Sequence, residues 1–386
     1  MKKILALILA VVMALAVTAC GGGAPAAPAE TAPAAEAAPE AEAAPEAEAS
    51  GGSDTFELAL ITDLGTIDDK SFNQGSWEGL ANYASEHGIS HKYYQPTEQS
   101  DDAYLSAIDL AVRGGAKLIV TPGFLFEVPI FNAQDIHPDV KFVLVDGVPN
   151  DGNWGDGPEF RTNDNTVGIL YAEEQSGFLA GYAAVKDGNT KLGFMGGMAV
   201  PAVVRFGYGF VQGADYAAKE MGVSGITINY HYTGGFEATP EAQTRAASWY
   251  NDGVEVIFAC GGAVGNSVMA AAEAAGAKVI GVDVDQSGES PTVITSAMKG
   301  LTPSVYDSIA MFYDGSFPGG QTKTFTAENN GVGLPMSTSR FDTFSNADYD
   351  NIFAQLASNS ITILGDADVD SASAIPVENT AVTEIR

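Results

Sequence analysis

Short apolar runs alternate with longer stretches of helical pattern from Phe56 onward, and this alternation is the strongest constraint on the fold. Several runs are apolar at every position, which is typical of strands that helices cover on both faces. Strict alternation of strands and helices predicts parallel sheets. We expect strands over 56–61, 90–94, 117–121, 141–146, 191–196, 226–230, 254–259, 278–283 and 292–297. We expect helices over 101–113, 173–186, 207–220, 240–251 and 267–275.

The alternation runs twice along the chain, over 56–146 and again over 191–283. The folded part is long enough for two lobes, each with its own core. We therefore predict an α/β fold of two similar lobes with a cleft between them. The expected division assigns 54–165 and 296–330 to the first lobe, and 166–295 and 331–386 to the second. The final ten residues are acidic and show little pattern, so we expect them to be disordered.

The N-terminal region has the features of an export signal. In residues 1–20, two lysines precede an apolar run, and small residues lead to Cys20. This is the pattern of a secretory signal peptide, and the run is too short to predict a permanent membrane span. A cysteine at this place resembles the lipobox of bacterial lipoproteins, which implies that Cys20 is lipidated; ordinary secretion with a free Cys20 is the alternative. Residues 21–53 contain almost only Gly, Ala, Pro, Glu and Ser, and we expect them to form a disordered tether.

Charge and motifs exclude several classes of function. The formal net charge is −31 at pH 7, whereas nucleic acid or an anionic lipid surface would require basic clusters in the partner protein. The sequence contains no nucleophile elbow, Walker loop, zinc-ligand spacing or dinucleotide fingerprint. The four histidines are scattered, so we expect neither a metal nor a cofactor.

Polar or aromatic residues follow several predicted strands. The first strand leads into the stretch 63–79, in which Ser71 and Gln74 have the spacing of a capping box. Phe72, in the first turn of that helix, either packs on its own helix or offers a flat surface to a ligand. The carboxyl ends of parallel strands meet at one edge of a sheet, where open α/β sheets bind ligands. A single aspartate at such a position is more often a cap or turn former, but that explanation accounts less well for the whole set.

Four stretches resemble one protein family. They are 63–79, which contains Asp-Lys-Ser-Phe-Asn-Gln at 69–74, together with 173–182, 280–286 and 294–299. They are similar to the basic membrane protein family, the nucleoside-binding lipoproteins of the purine nucleoside receptor A type. The resemblance implies a periplasmic-binding-protein-like type I fold, with two lobes of parallel sheets flanked by helices and joined at a hinge. It also implies the substrate-binding component of an ABC importer.

The resemblance further implies a set of ligand-binding residues. Phe72 and Phe236 would stack on opposite faces of the base, and Phe206 is an alternative to Phe236. Asp283 and Lys299 would bind the ribose hydroxyls. The full expected set is Asp63, Phe72, Asn73, Asp146, Phe236, Gly262, Asp283 and Lys299.

The expected function is capture of nucleosides, purine nucleosides in particular, and their delivery to permease and ATPase subunits. The protein would be a monomer on the extracytoplasmic face of the cell membrane, anchored through Cys20, and would not be an enzyme. A surface receptor or adhesin without transport is an alternative. A nucleoside hydrolase that uses Asp283 and Asp285 is another. The segment 151–162 is longer than is usual in the family and could pack over the cleft.

Overall fold

The computed structural model describes residues 55–155 and 157–385, and the predicted signal peptide, Cys20 and the tether lie outside them. The strands are β1 Leu58–Ile61, β2 His91–Tyr94, β3 Leu118–Pro122, β4 Lys141–Val145, β5 Thr166–Tyr171, β6 Lys191–Gly196, β7 Ile226–Tyr232, β8 Val256–Cys260, β9 Lys278–Asp283, β10 Val293–Lys299, β11 Gln321–Phe325, β12 Val332–Gly333 and β13 Thr380–Glu384. The helices are α1 Phe72–His87, α2 Asp101–Arg113, α3 Glu127–Ile136, α4 Glu173–Lys186, α5 Pro201–Met221, α6 Pro240–Asn251, α7 Val264–Ala275, α8 Leu301–Asp314 and α9 Asn346–Ala357.

The strands form two sheets. The first has the order β11-β5-β4-β3-β1-β2, and all of its neighbouring strands are parallel. The second has the order β12-β10-β9-β8-β6-β7-β13, and only its β10–β12 pair is antiparallel. We call each sheet with its helices a half of the molecule. The predicted α/β class with parallel sheets is confirmed.

Helices cover both faces of the first sheet, as the uninterrupted apolar strands indicate. In β1, Leu58 and Leu60 pack into one core cluster, whereas Ala59 and Ile61 pack into another beside Tyr104 of α2. This alternation is the period of two that a strand imposes on its side chains. No helix in the described part of the chain has the length and apolar character that a membrane crossing needs.

The predicted lobe boundaries differ from the division into sheets. Strand β5 belongs to the first sheet, although we expected 166–171 in the second lobe. Strand β10 belongs to the second sheet and runs across the predicted boundary at residue 296. The prediction overlooked β5 because Gly168 interrupts its apolar run, and glycine weakens a strand pattern.

The expectation of disorder over the last ten residues is wrong for Thr380–Glu384. Strand β13 extends the second sheet by pairing in parallel with β7. Its side chains are mostly exposed, as in many edge strands. An edge strand that buries one face only in part gives a weak sequence signal, and the backbone ladder supplies the order that the apolar pattern does not show.

The close packing of helices α4 and α5 positions Arg205 and Phe206 near the cleft. A Cβ atom on Gly177 of α4 would lie 2.0 Å from the carbonyl oxygen of Phe206, so only glycine permits this approach. Helix α5 begins at Pro201, six residues before its predicted start, and proline is favoured in the first turn of a helix. The earlier start places Arg205 and Phe206 on the helix rather than in a loop.

Candidate ligand-binding site

A cavity of about 240 Å³ lies between the two halves, where the carboxyl ends of strands from both sheets meet. Its volume is slightly below the range for small-molecule sites, roughly 300 to 1,000 Å³. The structure brings all eight predicted residues to its lining: Asp63, Phe72, Asn73, Asp146, Phe236, Gly262, Asp283 and Lys299. That these residues bind a ligand stays a prediction.

Sequence reasoning missed several other residues of the lining. They include Asp69, Val203, Glu237 and Cys260. Asp69 could have been found, because it lies in the same motif as Phe72 and precedes a helix, where acidic side chains are favoured. The thiol of Cys260 is buried, which raises its pKa well above the usual value, so it lines the wall as a small apolar group.

Helix α1 is capped by Asp69 and not by the predicted capping box. The carboxylate of Asp69 accepts hydrogen bonds from the backbone N–H groups of Ser71, Asn73 and Gln74 at 2.9, 3.0 and 3.1 Å. Ser71 stands at the N-cap, but its side chain makes no capping hydrogen bond. In the predicted capping box, the Ser71 and Gln74 side chains would each accept from the backbone N–H of the other residue. Both N–H groups donate to the carboxylate of Asp69 instead, so the prediction is wrong. Burial raises the pKa of Asp69 to about 6 despite these bonds.

Asn73, which lines the cavity, has a buried acceptor without a partner in the described structure. Its Nδ2 donates to Asp63 Oδ1 at 3.0 Å and to Asp69 Oδ2 at 3.1 Å. Because both partners are carboxylates, the amide nitrogen must face them, and the amide oxygen is turned away. That Oδ1 is buried and has no hydrogen-bond partner among the described residues. A ligand group that donates a hydrogen bond would satisfy it.

Lys299, at the end of β10, lies among three carboxylates. Its Nζ is 2.5 Å from Asp146 Oδ2, 3.3 Å from Asp283 Oδ1 and 4.0 Å from Glu173 Oε1. Burial alone would lower the pKa of Lys299, but the three carboxylates outweigh it, so the pKa rises and the lysine stays charged. Burial raises the pKa of Asp146, and Lys299 opposes that shift. Asp146 Oδ1 is also buried without a hydrogen-bond partner in the described structure.

Arg205 lies behind this cluster and balances part of its charge. Its Nε donates to Glu173 Oε2 at 2.7 Å, and its Nη1 is 3.4 Å from Asp366 Oδ2. Glu173 is completely buried, and a buried carboxylate needs such a partner. Neither residue had a predicted role: Arg205 preceded the expected start of α5, and Glu173 was only part of a stretch that resembles the family.

The walls of the cavity are aromatic and aliphatic. The Nζ of Lys299 lies 4.4 Å from the ring centroid of Phe72 and 5.5 Å from that of Phe206. Phe236 enters from the loop after β7 and contacts Gly197, where a Cβ atom would lie 2.5 Å from its ring. Phe206 and Phe236 both line the cavity, and which of them stacks on a base stays a prediction. Apolar walls beside a charged cluster suit a ligand that has both a flat ring system and hydroxyl groups.

Two expectations about the surroundings of the cleft need correction. Of the described residues in the segment 151–162, none lines the cavity. The segment is fixed outside it, because Arg161 pairs with Asp135 of α3 at 2.7 Å. Asp285 lies outside the cavity lining too, and its carboxylate accepts from Thr338 Oγ1 at 2.7 Å. Asp283 and Asp285 therefore do not form a pair within this cavity.

Solved structures show the same fold. A solute-binding protein of an ABC transporter from Aeropyrum pernix K1 superposes with a TM-score of 0.70 at 24% identity, covering 82% of this chain and 95% of that one. A second, from Conexibacter woesei, superposes with a TM-score of 0.63 at 23% identity, covering 80% and 99%. At these identities the likeness establishes the fold alone. It is the periplasmic-binding-protein-like fold of ABC solute-binding proteins, as the sequence resemblance implied.

Sequence comparison then gives the family. The model of the family described as "ABC transporter substrate-binding protein PnrA-like" (Bmp) matches residues 56–364. The chain belongs to this family, so the resemblance to the basic membrane proteins is confirmed. A protein of Lactococcus lactis named "ABC transporter nucleoside-binding protein BmpA" is 32% identical, covering 72% of this chain and 81% of that protein. Basic membrane protein D of Borreliella burgdorferi is 31% identical, covering 74% and 81%. The description of the family is that of a substrate-binding protein of ABC transporters.

Proposed function

We propose that this protein binds nucleosides, purine nucleosides in particular, and delivers them to the permease and ATPase subunits of an ABC importer. The observation that carries the proposal is that one cavity combines flat apolar surface with a buried charged cluster. Phe72, Phe206 and Phe236 line it with flat apolar surface, whereas Asp146, Asp283 and Lys299 form a buried charged cluster. The name of the Lactococcus lactis relative supports the same ligand class.

A nucleoside matches both the apolar surface and the charged cluster. A purine is flat and stacks on aromatic rings, with a gain of about 0.5 to 1.5 kcal/mol for each ring pair beyond area burial. The ribose hydroxyls donate hydrogen bonds to carboxylates, and each charge-assisted bond contributes roughly 1.5 to 3 kcal/mol. The base end would carry N–H donors toward Asp63 and the free oxygen of Asn73.

The charge balance favours nucleosides over nucleotides. Among the described residues that line the cavity, one lysine accompanies five carboxylates: Asp63, Asp69, Asp146, Glu237 and Asp283. A phosphate would add negative charge to a site that already has an excess. Because the lining comes from both halves, ligand binding stabilises the closed arrangement, which is the form that a permease could distinguish from the empty one.

Thermal unfolding of the purified protein with a ligand panel tests the proposal. Ligands that bind only the folded state raise its stability in proportion to the logarithm of their concentration over Kd. Purine ribonucleosides should raise the melting temperature, whereas the matching nucleoside monophosphates and free ribose should not. No shift with any nucleoside would contradict the proposal. Chromatography of the same mixtures tests the hydrolase alternative, since free base would accumulate only if the protein cleaves its ligand.

We also propose that Cys20 is lipidated, that the monomeric protein is anchored on the extracytoplasmic face of the membrane, and that it acts in uptake. Replacing Cys20 with serine should release the protein from the membrane fraction and abolish incorporation of a labelled fatty acid. Uptake of labelled nucleoside by cells that lack the gene separates import from a receptor or adhesin role. Loss of uptake supports import, and normal uptake favours the receptor.

A further inference from the structure

The turn before α1 belongs to the first half in sequence, yet it contacts the second half directly. Ser71 Oγ donates to Asp283 Oδ2 at 2.5 Å. Gln286 Nε2 donates to the carbonyl oxygen of Lys70 at 2.6 Å. Ser71 is completely buried and Gln286 is 1% exposed, so water does not compete for these bonds in the closed arrangement.

The hydroxyl of Ser71 is available for this contact because Asp69 caps the helix. A serine at an N-cap ordinarily accepts a hydrogen bond from the backbone of its own first turn. Here the N–H groups of Asn73 and Gln74 are bonded to Asp69. Ser71 can therefore turn its hydroxyl across the interface to Asp283.

Gln286 is oriented by its own half before it meets Lys70. Its Oε1 accepts from the backbone N–H of Val282 at 3.0 Å, and its backbone N–H donates to Ser296 Oγ at 3.0 Å. Because the side-chain oxygen is engaged, the amide nitrogen must point toward the first half. The second half thus presents a fixed donor to the Lys70 carbonyl.

We propose that Ser71 and Gln286 form a latch between the halves, and that Ser71 is a positioning residue that fixes Asp283 for the ligand only when the halves close. This inference rests on the proposed function, in which Asp283 binds the ligand. Separation of the halves takes the Ser71 donor away from a buried carboxylate oxygen, which disfavours opening. The latch and the ligand both stabilise the closed form, so loss of the latch speeds ligand release without removing a ligand contact.

The first test compares two buried serines of the same segment. Ser76 is also completely buried, but its hydroxyl donates to the Phe72 carbonyl within α1 and not across the interface. Ser71→Ala should accelerate dissociation of inosine from the full-length protein by about tenfold or more, the expected loss of one hydrogen bond to a charged group. Ser76→Ala should change the dissociation rate of inosine by less than about twofold. Inosine should dissociate more slowly from Ser71→Thr, which keeps the hydroxyl, than from Ser71→Ala. Equal dissociation rates in the two alanine variants overturn the latch, as does a Ser71→Ala defect confined to association.

A second test needs no ligand. Gln286→Glu keeps the acceptor for Val282 but places a carboxylate oxygen against the Lys70 carbonyl, so it should open the latch. The matched control is Gln212→Glu, because Gln212 also bridges backbone groups through both ends of its amide, with bonds to Leu364 at 2.8 and 2.9 Å inside the second half.

Amide hydrogen exchange in peptides covering 69–76 and 280–290 is the readout. Exchange of the ligand-free protein should be at least about tenfold faster in Gln286→Glu and Ser71→Ala than in Gln212→Glu. Equal exchange in all three overturns the latch. If the wild-type protein binds no nucleoside, the proposed function fails, and exchange still decides whether the latch exists.

Discussion

Asp146 and Asp283 occupy equivalent places in the two halves and differ in one partner. Each stands at the end of a central parallel strand, each has a positive φ angle, 59° and 68°, and each contacts Lys299. Asp283 Oδ2 accepts from Ser71 of the opposite half, whereas Asp146 Oδ1 has no partner in the described structure. The same topology, used twice, places two carboxylates on one lysine. We infer that Asp146 keeps one carboxylate oxygen without a protein partner, whereas the Asp283 carboxylate is bound by Ser71 only when the two halves are in contact.

Removing Lys299, which contacts both aspartates, should have the largest effect on folding stability. Lys299→Met leaves three buried carboxylates without their lysine, and loss of one partner of a buried ion pair costs about 3 to 5 kcal/mol of folding stability. Denaturant unfolding at neutral pH measures this loss. The loss should shrink in mild acid, because burial raises the pKa of Asp146 and protonation removes its charge.

Lys278 provides the matched control for that variant. It also contacts two carboxylates, Asp187 at 3.3 Å and Asp342 at 2.8 Å, but its side chain is 30% exposed. Lys278→Met should therefore cost only about 1 kcal/mol or less. If both lysine variants lost the same amount of folding stability, burial of the Lys299 cluster would not explain the large cost expected for Lys299→Met.

The second prediction separates the two aspartates by ligand. Asp283→Ala should abolish tight binding of ribonucleosides, because it removes a charged acceptor for the hydroxyls and the partner of Ser71. Asp146→Ala should weaken the same binding less, since it leaves the Ser71 side of the interface intact. Calorimetric titration with a ribonucleoside and with the corresponding free base measures both. If Asp283→Ala weakened free-base binding as strongly as ribonucleoside binding, the ribose role would be wrong.

The third prediction concerns the aromatic wall of the first half. Phe72→Ala should weaken nucleoside binding by about 1 to 3 kcal/mol and leave the fold intact, because Phe72 is only partly buried and its ring faces the cavity. Phe353→Ala is a suitable control, since Phe353 is also partly buried but lines no part of this cavity. Calorimetric titration with a purine nucleoside measures the loss, and unchanged affinity in Phe72→Ala would remove Phe72 from the proposed site.

Much of the architecture was predictable, and the exceptions have physical causes. Helices α2, α4 and α6 have the predicted bounds, because their apolar periodicity and terminal residues agree. Strand β5 was missed because of Gly168, and β13 because an edge strand buries few of its side chains. The division into halves could not be read from sequence, since it depends on which sheet each strand joins.

For the site, positions at strand ends and family motifs named side chains that the structure places in the lining of one cavity, but they did not predict the hydrogen-bond partners of those side chains. Asp69 replaces Ser71 as the helix cap, and that exchange is a matter of side-chain geometry. The Ser71–Asp283 contact spans 212 residues of sequence, so no local pattern could predict it. Arg205 was missed for a simpler reason, the misplaced start of α5.

The last prediction tests whether the burial of carboxylates lowers the stability of this chain as the pH rises. Burial raises the pKa of Asp69 to about 6 and that of Glu174 to about 7, above the ordinary values of 3.8 and 4.5. Between the ordinary and the raised values, the folded state binds more protons than the unfolded state, so stability falls as pH rises. Each such carboxylate contributes at most about 1.4 kcal/mol per pH unit.

The melting temperature should therefore decrease from pH 4.5 to pH 7.5 at constant ionic strength, and self-repulsion from a net charge of −31 acts in the same direction. Glu174→Gln should flatten the decrease by removing one titration, and a melting temperature that rose over this range would show that ion pairs, not burial, dominate these carboxylates.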